Sequence, residues 1–578
     1  MVTKTKKRDP KRFSTGGHEK DEKVTDVDAV FNKIKPFGRY QFFVSFIYSY
    51  AYFPLDINNL FMGYGGIKPK WTCSDWSVHD NISTSPLIPT DNCHIYHKCA
   101  PENLTFISDF HSIVSEWGLV CDRDYFMSLI TSIQMIGLLT GAIMIGSISD
   151  LFGRKWTFFT VLSLEMSLGA LSGLSTSATI FAIFRFCIGW CTGAEMVVGW
   201  VFAAESTTNR YRLLIRVVAA LLLPMWNQVF IAYLTRHWKW YSIIGNVSGV
   251  LALPLLALFT YESPRWLAQK GRIEEARQIL ALIARFNRKS HSLPKNIDLE
   301  TETSKTNAVQ KKYHVWDLFR TRQLAVYTLV MIGTWFAISL AHYGMFFDIG
   351  NLPTNVYLNG AVLAGVGMLV IPLAIYDAYN PNVNRKYMMV GLFLLTAVCN
   401  VAVALFETVI PSGSVSGSLL SLSSVVGQVS TEASFDVAYV YAVELFPTLL
   451  RSNANGLSSV AARLAGVIAP QLLYAGKSWI PLPYVTFAVI SALGAAIDAF
   501  FLPNTKNMHL PETFEQSNHL ENIASTKGCD GNGDDRKAEN GQVGDARIQW
   551  MARDNTATIV YDDEGRPKRH SDFSVERY

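Results

Sequence analysis

Charge is what this chain lacks wherever a soluble protein needs it. Only 17% of its residues are charged against 49% hydrophobic, and the deficit is local: Tyr125 to Ile145 contains no charged residue and Trp156 to Phe184 only Glu165. Such runs exclude a large soluble fold and point to a polytopic membrane protein whose first partner is the lipid bilayer. The net charge of +4 is small for 578 residues and sits in segments flanking the apolar runs, so nucleic acid is not an expected partner. A phosphate-cradling glycine loop, a nucleophile elbow and paired metal-ligand spacings are also missing, which leaves no enzyme class to argue for and no resident cofactor or metal to expect. Asp530-Gly-Asn-Gly-Asp534 opens like a calcium loop, but Asp535 and Gly541 stand where glycine and glutamate are needed.

The first forty residues hold no apolar run that would read as a cleaved leader, so the first span is expected to be its own insertion signal. They carry eleven Lys/Arg, whereas the loop from Gly63 to Arg123 carries four. By the positive-inside rule the leader stays in the cytosol and that loop emerges outside. Cysteine is scarce, eight in all, yet Cys73, Cys93, Cys99 and Cys121 share that one loop with the sequons at Asn81 and Asn103. An oxidising, glycosylated face is the economical reading, and the four cysteines are expected in disulfides whose pairing stays open. The sequon at Asn246 lies inside an apolar run and should be silent.

What is present is a series of spans joined by charged turns. Gly146-Ser-Ile-Ser-Asp150-Leu-Phe-Gly153-Arg154-Lys155 reads as a tight loop at the membrane surface, with Gly153 supplying a positive φ and Arg154 and Lys155 marking the cytoplasmic side. The pattern predicts an all-α membrane protein of twelve transmembrane helices in two pseudo-symmetric six-helix bundles. Residues 1–40 form a basic cytoplasmic segment, 41–261 the first bundle with an extracellular loop at 63–123, and 262–322 a cytoplasmic linker. Residues 323–502 form the second bundle and 503–578 a cytoplasmic, largely disordered tail. Within the linker, Ile273 to Arg285 has the apolar spacing of an amphipathic helix. The halves echo each other: Asp377 to Lys386 takes the place of the first charged loop, without its glycine, and Glu444 to Arg451 the place of Glu205 to Arg210.

Ionisable residues inside spans are costly, so they are the candidates for function. Asp56 lies in the first span and Glu195 in the fourth. Glu432 and Asp436 fall one helical turn apart on one face of the tenth, and Arg463 stands in the eleventh. A lone arginine at that depth costs at least ~2.5 kcal/mol on insertion scales and needs a partner or an aqueous cavity. Arg463, Asp436, Glu432 and Glu195 are the expected contacts of a charged substrate, with Tyr343 and Tyr439, beside Trp335, Tyr357 and Phe435, as cation–π surface.

Several motifs together carry a resemblance: Glu116-Trp-Gly-Leu-Val-Cys-Asp122, the Gly153-Arg-Lys loop, Arg185-Phe186 with Gly189, Glu262-Ser-Pro-Arg-Trp-Leu267, Tyr441-Ala-Val-Glu-Leu-Phe-Pro-Thr-Leu-Leu-Arg451 and Leu510-Pro-Glu-Thr513. From Gly38 to Gln516 the chain resembles the organic cation, organic anion and carnitine transporters of the major facilitator superfamily. The resemblance implies polyspecific transport of small organic ions by alternating access. It also implies a cytoplasmic gate drawn from Asp150, Gly153, Arg154, Lys155, Glu205, Arg210, Glu262, Arg265, Glu444 and Arg451. Arg463 stands where cation carriers of the family have aspartate and anion or carnitine carriers have arginine, while Ile371 and Gln428 replace lysines of anion carriers. A zwitterion therefore suits the charges best. Sodium or proton coupling and a plasma-membrane location are the matching expectations. The other readings are a sugar porter, which shares the Gly-Arg-Lys and Glu-Ser-Pro-Arg motifs but is not expected to have the cysteine-bearing loop, and a transport-inactive receptor of the same fold.

Overall fold

Backbone polar groups have no water to bond inside a bilayer, so apolar runs close their hydrogen bonds within helices. In the computed structural model, which describes residues 27–74, 89–208, 211, 224–293, 315–348, 355–368, 384–408, 414–447 and 450–503, that is what they do. The expectations at Asn81, Arg210 and Ile371, the loop from Asp377 to Val383, the first 26 residues and the tail from Asn504 lie outside the described residues.

The first six long segments are α1 (Arg39–Asn59), α2 (Tyr125–Phe152), α3 (Arg154–Ser172), α4 (Ala178–Glu205), α5 (Pro224–Thr235) and α6 (Trp238–Phe259). The second set is α7 (Arg322–Phe347), α8 (Val356–Gly367), α9 (Arg385–Thr408), α10 (Ser414–Leu445), α11 (Arg451–Ala475) and α12 (Leu482–Phe501). Among the described residues, seven helices are long and apolar enough to cross a membrane by themselves. The others fill the remaining places of the two six-helix sets.

Without a hydrophobic drive between helices in lipid, close backbone approach supplies the attraction. The α2–α4 seam is built that way. A Cβ on Gly141 would stand 1.9 Å from the Trp190 carbonyl oxygen, and one on Gly193 would stand 2.0 Å from that of Leu138. In the second half α7 packs on α11, and α9 on both α10 and α12; across the halves the contacts run α2 to α11 and α5 to α8.

The cysteine-bearing loop folds around an antiparallel pair, β1 (Lys70–Cys73) and β2 (Leu104–Ile107), joined side to side by the Thr72 and Thr105 hydroxyls at 2.7 Å. Disulfides tie Cys73 to Cys99 and Cys93 to Cys121. A short helix, Ile113–Trp117, starts on the Ser112 side chain and ends at Gly118, whose φ of 59° suits a residue without a Cβ. At the other end the linker helix Ile273–Phe286 docks on α1: the Asn287 side chain accepts the Tyr40 N–H at 2.9 Å and donates to Gln41 at 3.1 Å. A helix absent from the sequence reading, Val27–Lys33, also packs there, because Arg265 reaches its Asp28 at 2.5 Å.

Candidate functional site

Four residues of α10, Gln428, Glu432, Phe435 and Tyr439, follow at helical spacing and turn one face toward α7. On α7, His342 lies 3.0 Å from Gln428 Nε2 and 3.5 Å from Glu432 Oε1. Trp335, one heptad earlier, sets its ring centroid 4.5 Å from Tyr439 and 6.1 Å from Phe435. Tyr343 has Arg463, Glu432 and Tyr439 within electrostatic reach, and Asp56 of α1 has Glu432 within the same reach. Arg463 donates to the Ser459 hydroxyl at 2.8 Å and points Nη2 at the Met196 sulfur of α4, 3.8 Å away. Side chains from both halves thus meet around one arginine, two carboxylates and an aromatic wall.

From sequence, Arg463, Asp436 and Glu432 are expected around one charged substrate. Among the described residues no ion pair joins Arg463 to Glu432; Arg463 bonds Ser459 and Glu432 faces His342. Glu195, expected among the substrate contacts, is only 1% exposed and lies against Glu165 inside the first half. Glu165 accepts from Thr192 at 2.8 Å and Asn58 at 3.2 Å, and Asn58 bonds Asn246 at 2.8 Å. The fully buried Arg185 of α4 is held by Ser172 at 3.0 Å and by the face of Phe61, 4.1 Å from its guanidinium carbon. Burial sets these groups apart from the aromatic cluster.

At the linker end the charged turns bond within each half. Gly153 has φ 97°, and Arg154 pairs with Asp150 at 2.7 Å and with Glu205 at 3.4 Å. Glu262 accepts the N–H groups of Arg154 and Lys155 at 2.9 and 3.0 Å, a carboxylate on the positive end of α3. The Lys155 ammonium in turn donates to the Ala257 and Thr260 carbonyls, both at 2.8 Å, at the negative end of α6. In the second half Arg385 pairs with Glu444, and Arg451 lies within reach of the same carboxylate. Arg385 was missed from sequence because Asn384 replaces the glycine that marks the first-half turn; the shared Arg-Lys pair that follows was the available signal.

At the opposite end the halves are joined. Lys477, after α11, reaches Asp124 of the α2 N-terminus at 2.5 Å, and Lys68 reaches the same carboxylate at 3.3 Å. Ser132 donates to the Val467 carbonyl at 2.8 Å and accepts from Gln471 at 3.0 Å, and the Tyr357 hydroxyl donates to the Asp109 carbonyl at 2.9 Å. None of these contacts was expected from sequence, since surface charges in loops carry no periodicity.

Two six-helix sets, cross-packed through α2–α11 and α5–α8 around a mixed-charge cluster, define a multi-pass membrane transporter of the major facilitator fold. The profile of the family described as "Sugar (and other) transporter" matches residues 89–516. The organic cation/carnitine transporter 2 of Mus musculus is 27% identical over 550 residues, covering 86% of this chain and 95% of that one. Solute carrier family 22 member 21 of Mus musculus is 30% identical over 427 residues, covering 71% and 72%. The inward-open xylose transporter XylE of E. coli superposes with a TM-score of 0.56 at 17% identity, over 83% of this chain and 99% of that one. The chain belongs to this transporter family, in its organic cation, organic anion and carnitine branch, and is not an enzyme.

Proposed function

We propose that the chain carries small organic ions bearing both a carboxylate and a quaternary or protonated amine across the plasma membrane, by alternating access around the α7–α10–α11 cluster. The supporting observation is the coexistence of opposite charges without neutralisation: Arg463 and Glu432 both act on Tyr343 yet form no ion pair with each other. A guanidinium whose donors engage, among the described residues, a hydroxyl, a carbonyl and a thioether keeps a fork suited to a carboxylate. Tyr343 and Tyr439 offer ring faces for the cationic end, with the buried Trp335 packed against Tyr439 and Glu432 on the same face of α10. That relatives are named for organic cations and carnitine supports the same class.

In this reading the leader, the linker and the tail lie in the cytoplasm, and the disulfide-tied loop lies outside with Asn81 and Asn103 as glycan acceptors. The contact pattern, joined outside and, among the described residues, with the charged turns of the linker end bonded within each half, then fits an inward-facing state. Asp150, Arg154, Glu205, Arg210, Glu262, Glu444 and Arg451 act as the cytoplasmic gate, exchanging bonds within a half for bonds across it. Arg265 holds the leader helix to the linker.

Uptake of a labelled quaternary ammonium, carnitine and an aromatic carboxylate into cells tests this, for wild type and Arg463→Ala, with and without sodium. Carnitine uptake that falls at least about tenfold in the variant at equal surface expression supports the assignment, since ~1.4 kcal/mol of carboxylate contact is tenfold. Carriage of the quaternary ammonium alone, unaffected by the variant, overturns it. The sodium arm decides whether sodium is a coupling ion.

A further inference from the structure

We propose that the outer face carries a binding site for a borderline divalent transition metal such as Zn²⁺, made by His111, Glu116 and His237. Two imidazoles and a carboxylate bring their ligand atoms within 4.8 Å of one another. That donor set is the one zinc takes in open, three-ligand sites, leaving a position for water. Zinc holds such atoms at about 2.0–2.2 Å, so the three must draw together by roughly 1 Å.

The backbone fixes the site from two elements far apart in sequence. His111 donates its N–H to the Arg236 carbonyl and accepts the Trp238 N–H, both at 2.9 Å, which locks the cysteine-bearing loop onto the turn between α5 and α6. The two imidazole rings lie 4.6 Å apart between centroids. Glu116, on the short helix that follows Ser112, reaches His111 Nε2 at 3.0 Å. Ser115 Oγ stands 3.4 Å from His111 Nδ1, where it can orient the ring as outer hydrogen-bond partners of metal-bound imidazoles do.

Two features oppose the metal and make the site testable. The Lys239 ammonium already lies 2.6 Å from Glu116 Oε1, so a cation must displace it. His237 Nδ1 accepts the Lys239 N–H at 3.2 Å. Ligation through Nε2 therefore moves the ring proton to Nδ1 and gives up that hydrogen bond. Removing the ammonium should tighten binding, an effect that misfolding cannot mimic.

The test is Zn²⁺ titration by calorimetry of the full chain in lipid nanodiscs, freed of any histidine tag, for wild type, His111→Ala, Glu116→Gln, His237→Ala and Lys239→Met. The expected result is one site in the micromolar range, weakened at least about tenfold by each ligand substitution and tightened several-fold by Lys239→Met. If wild type binds no Zn²⁺ more tightly than the His111→Ala and His237→Ala proteins, the proposal is overturned. Lys239→Met binding more weakly than wild type would overturn it too, since the site would then not contain the Glu116 carboxylate.

Discussion

At the residue scale, the side chains that stood out in the sequence were those whose cost is highest in lipid. Arg463 and Glu432 were legible because a charge in a span demands a reason. The neighbour of Glu432 was not: His342 does not stand out in the sequence, and its contact with Glu432 depends on which faces of α7 and α10 meet. Glu195 shows the limit from the other side, since burial depth, which places it against Glu165 inside the first half, is invisible in a linear pattern. Glu432→Gln preserves shape and removes the negative charge behind the aromatic wall. Uptake of amine-bearing probes should fall about tenfold, the equivalent of ~1.4 kcal/mol, while carboxylates lacking an amine should be unaffected or improved. Equal loss for both probe classes, measured as initial rates at matched expression, would make Glu432 a structural residue.

At the element scale, spans and linker were readable from apolar runs and spacing; Ile273–Phe286 forms the amphipathic helix its pattern implies. The small sheet of β1 and β2 escaped notice because four-residue strands in a polar loop leave too short an alternation. The α2–α4 seam was equally hidden, for glycines spaced by four read as loose packing until the facing helix is known. Gly141→Leu forces a side chain into the Trp190 backbone, so the helices must separate. Overpacking of this kind costs about 1–3 kcal/mol, and the detergent-solubilised variant should unfold several degrees lower in a thermal ramp followed by tryptophan fluorescence. Gly146→Leu is the control, because a Cβ there meets nothing within 4 Å. Should both substitutions lower the midpoint equally, close backbone approach is not what holds the seam. The Glu262 carboxylate offers a second test: it accepts two N–H groups of α3 while tying that helix to the end of α6. Glu262→Ala leaves those donors unpaired and should cost about 1–2 kcal/mol, whereas Glu262→Gln, still an acceptor, should recover part of it.

At the scale of the whole molecule, the sequence was informative about two halves and silent about which state they adopt, because alternating access differs only in which end of the same helices is joined. Here the tie is Asp124, whose side chain is only 7% exposed and takes two ammonium groups, one from each half. Removing Lys477 leaves Lys68 to satisfy the carboxylate, so the first half stays intact and only the bond between halves is lost. A partly buried pair of this kind is expected to contribute on the order of 1–2 kcal/mol, which shifts a two-state equilibrium by a factor of about 5–30. Lys477→Ala should therefore populate the outward-open state. A cysteine placed at Tyr343, read with a membrane-impermeant thiol reagent added from outside, should label several-fold faster in the Lys477→Ala background. Lys68→Ala is the matched control: it removes a charge from the same carboxylate without parting the halves and should leave the labelling rate near that of the parent. If Lys477→Ala and Lys68→Ala change the rate alike, the carboxylate's environment rather than the bond between halves sets the equilibrium, and the outer lock must be sought in the Ser132 contacts with Val467 and Gln471.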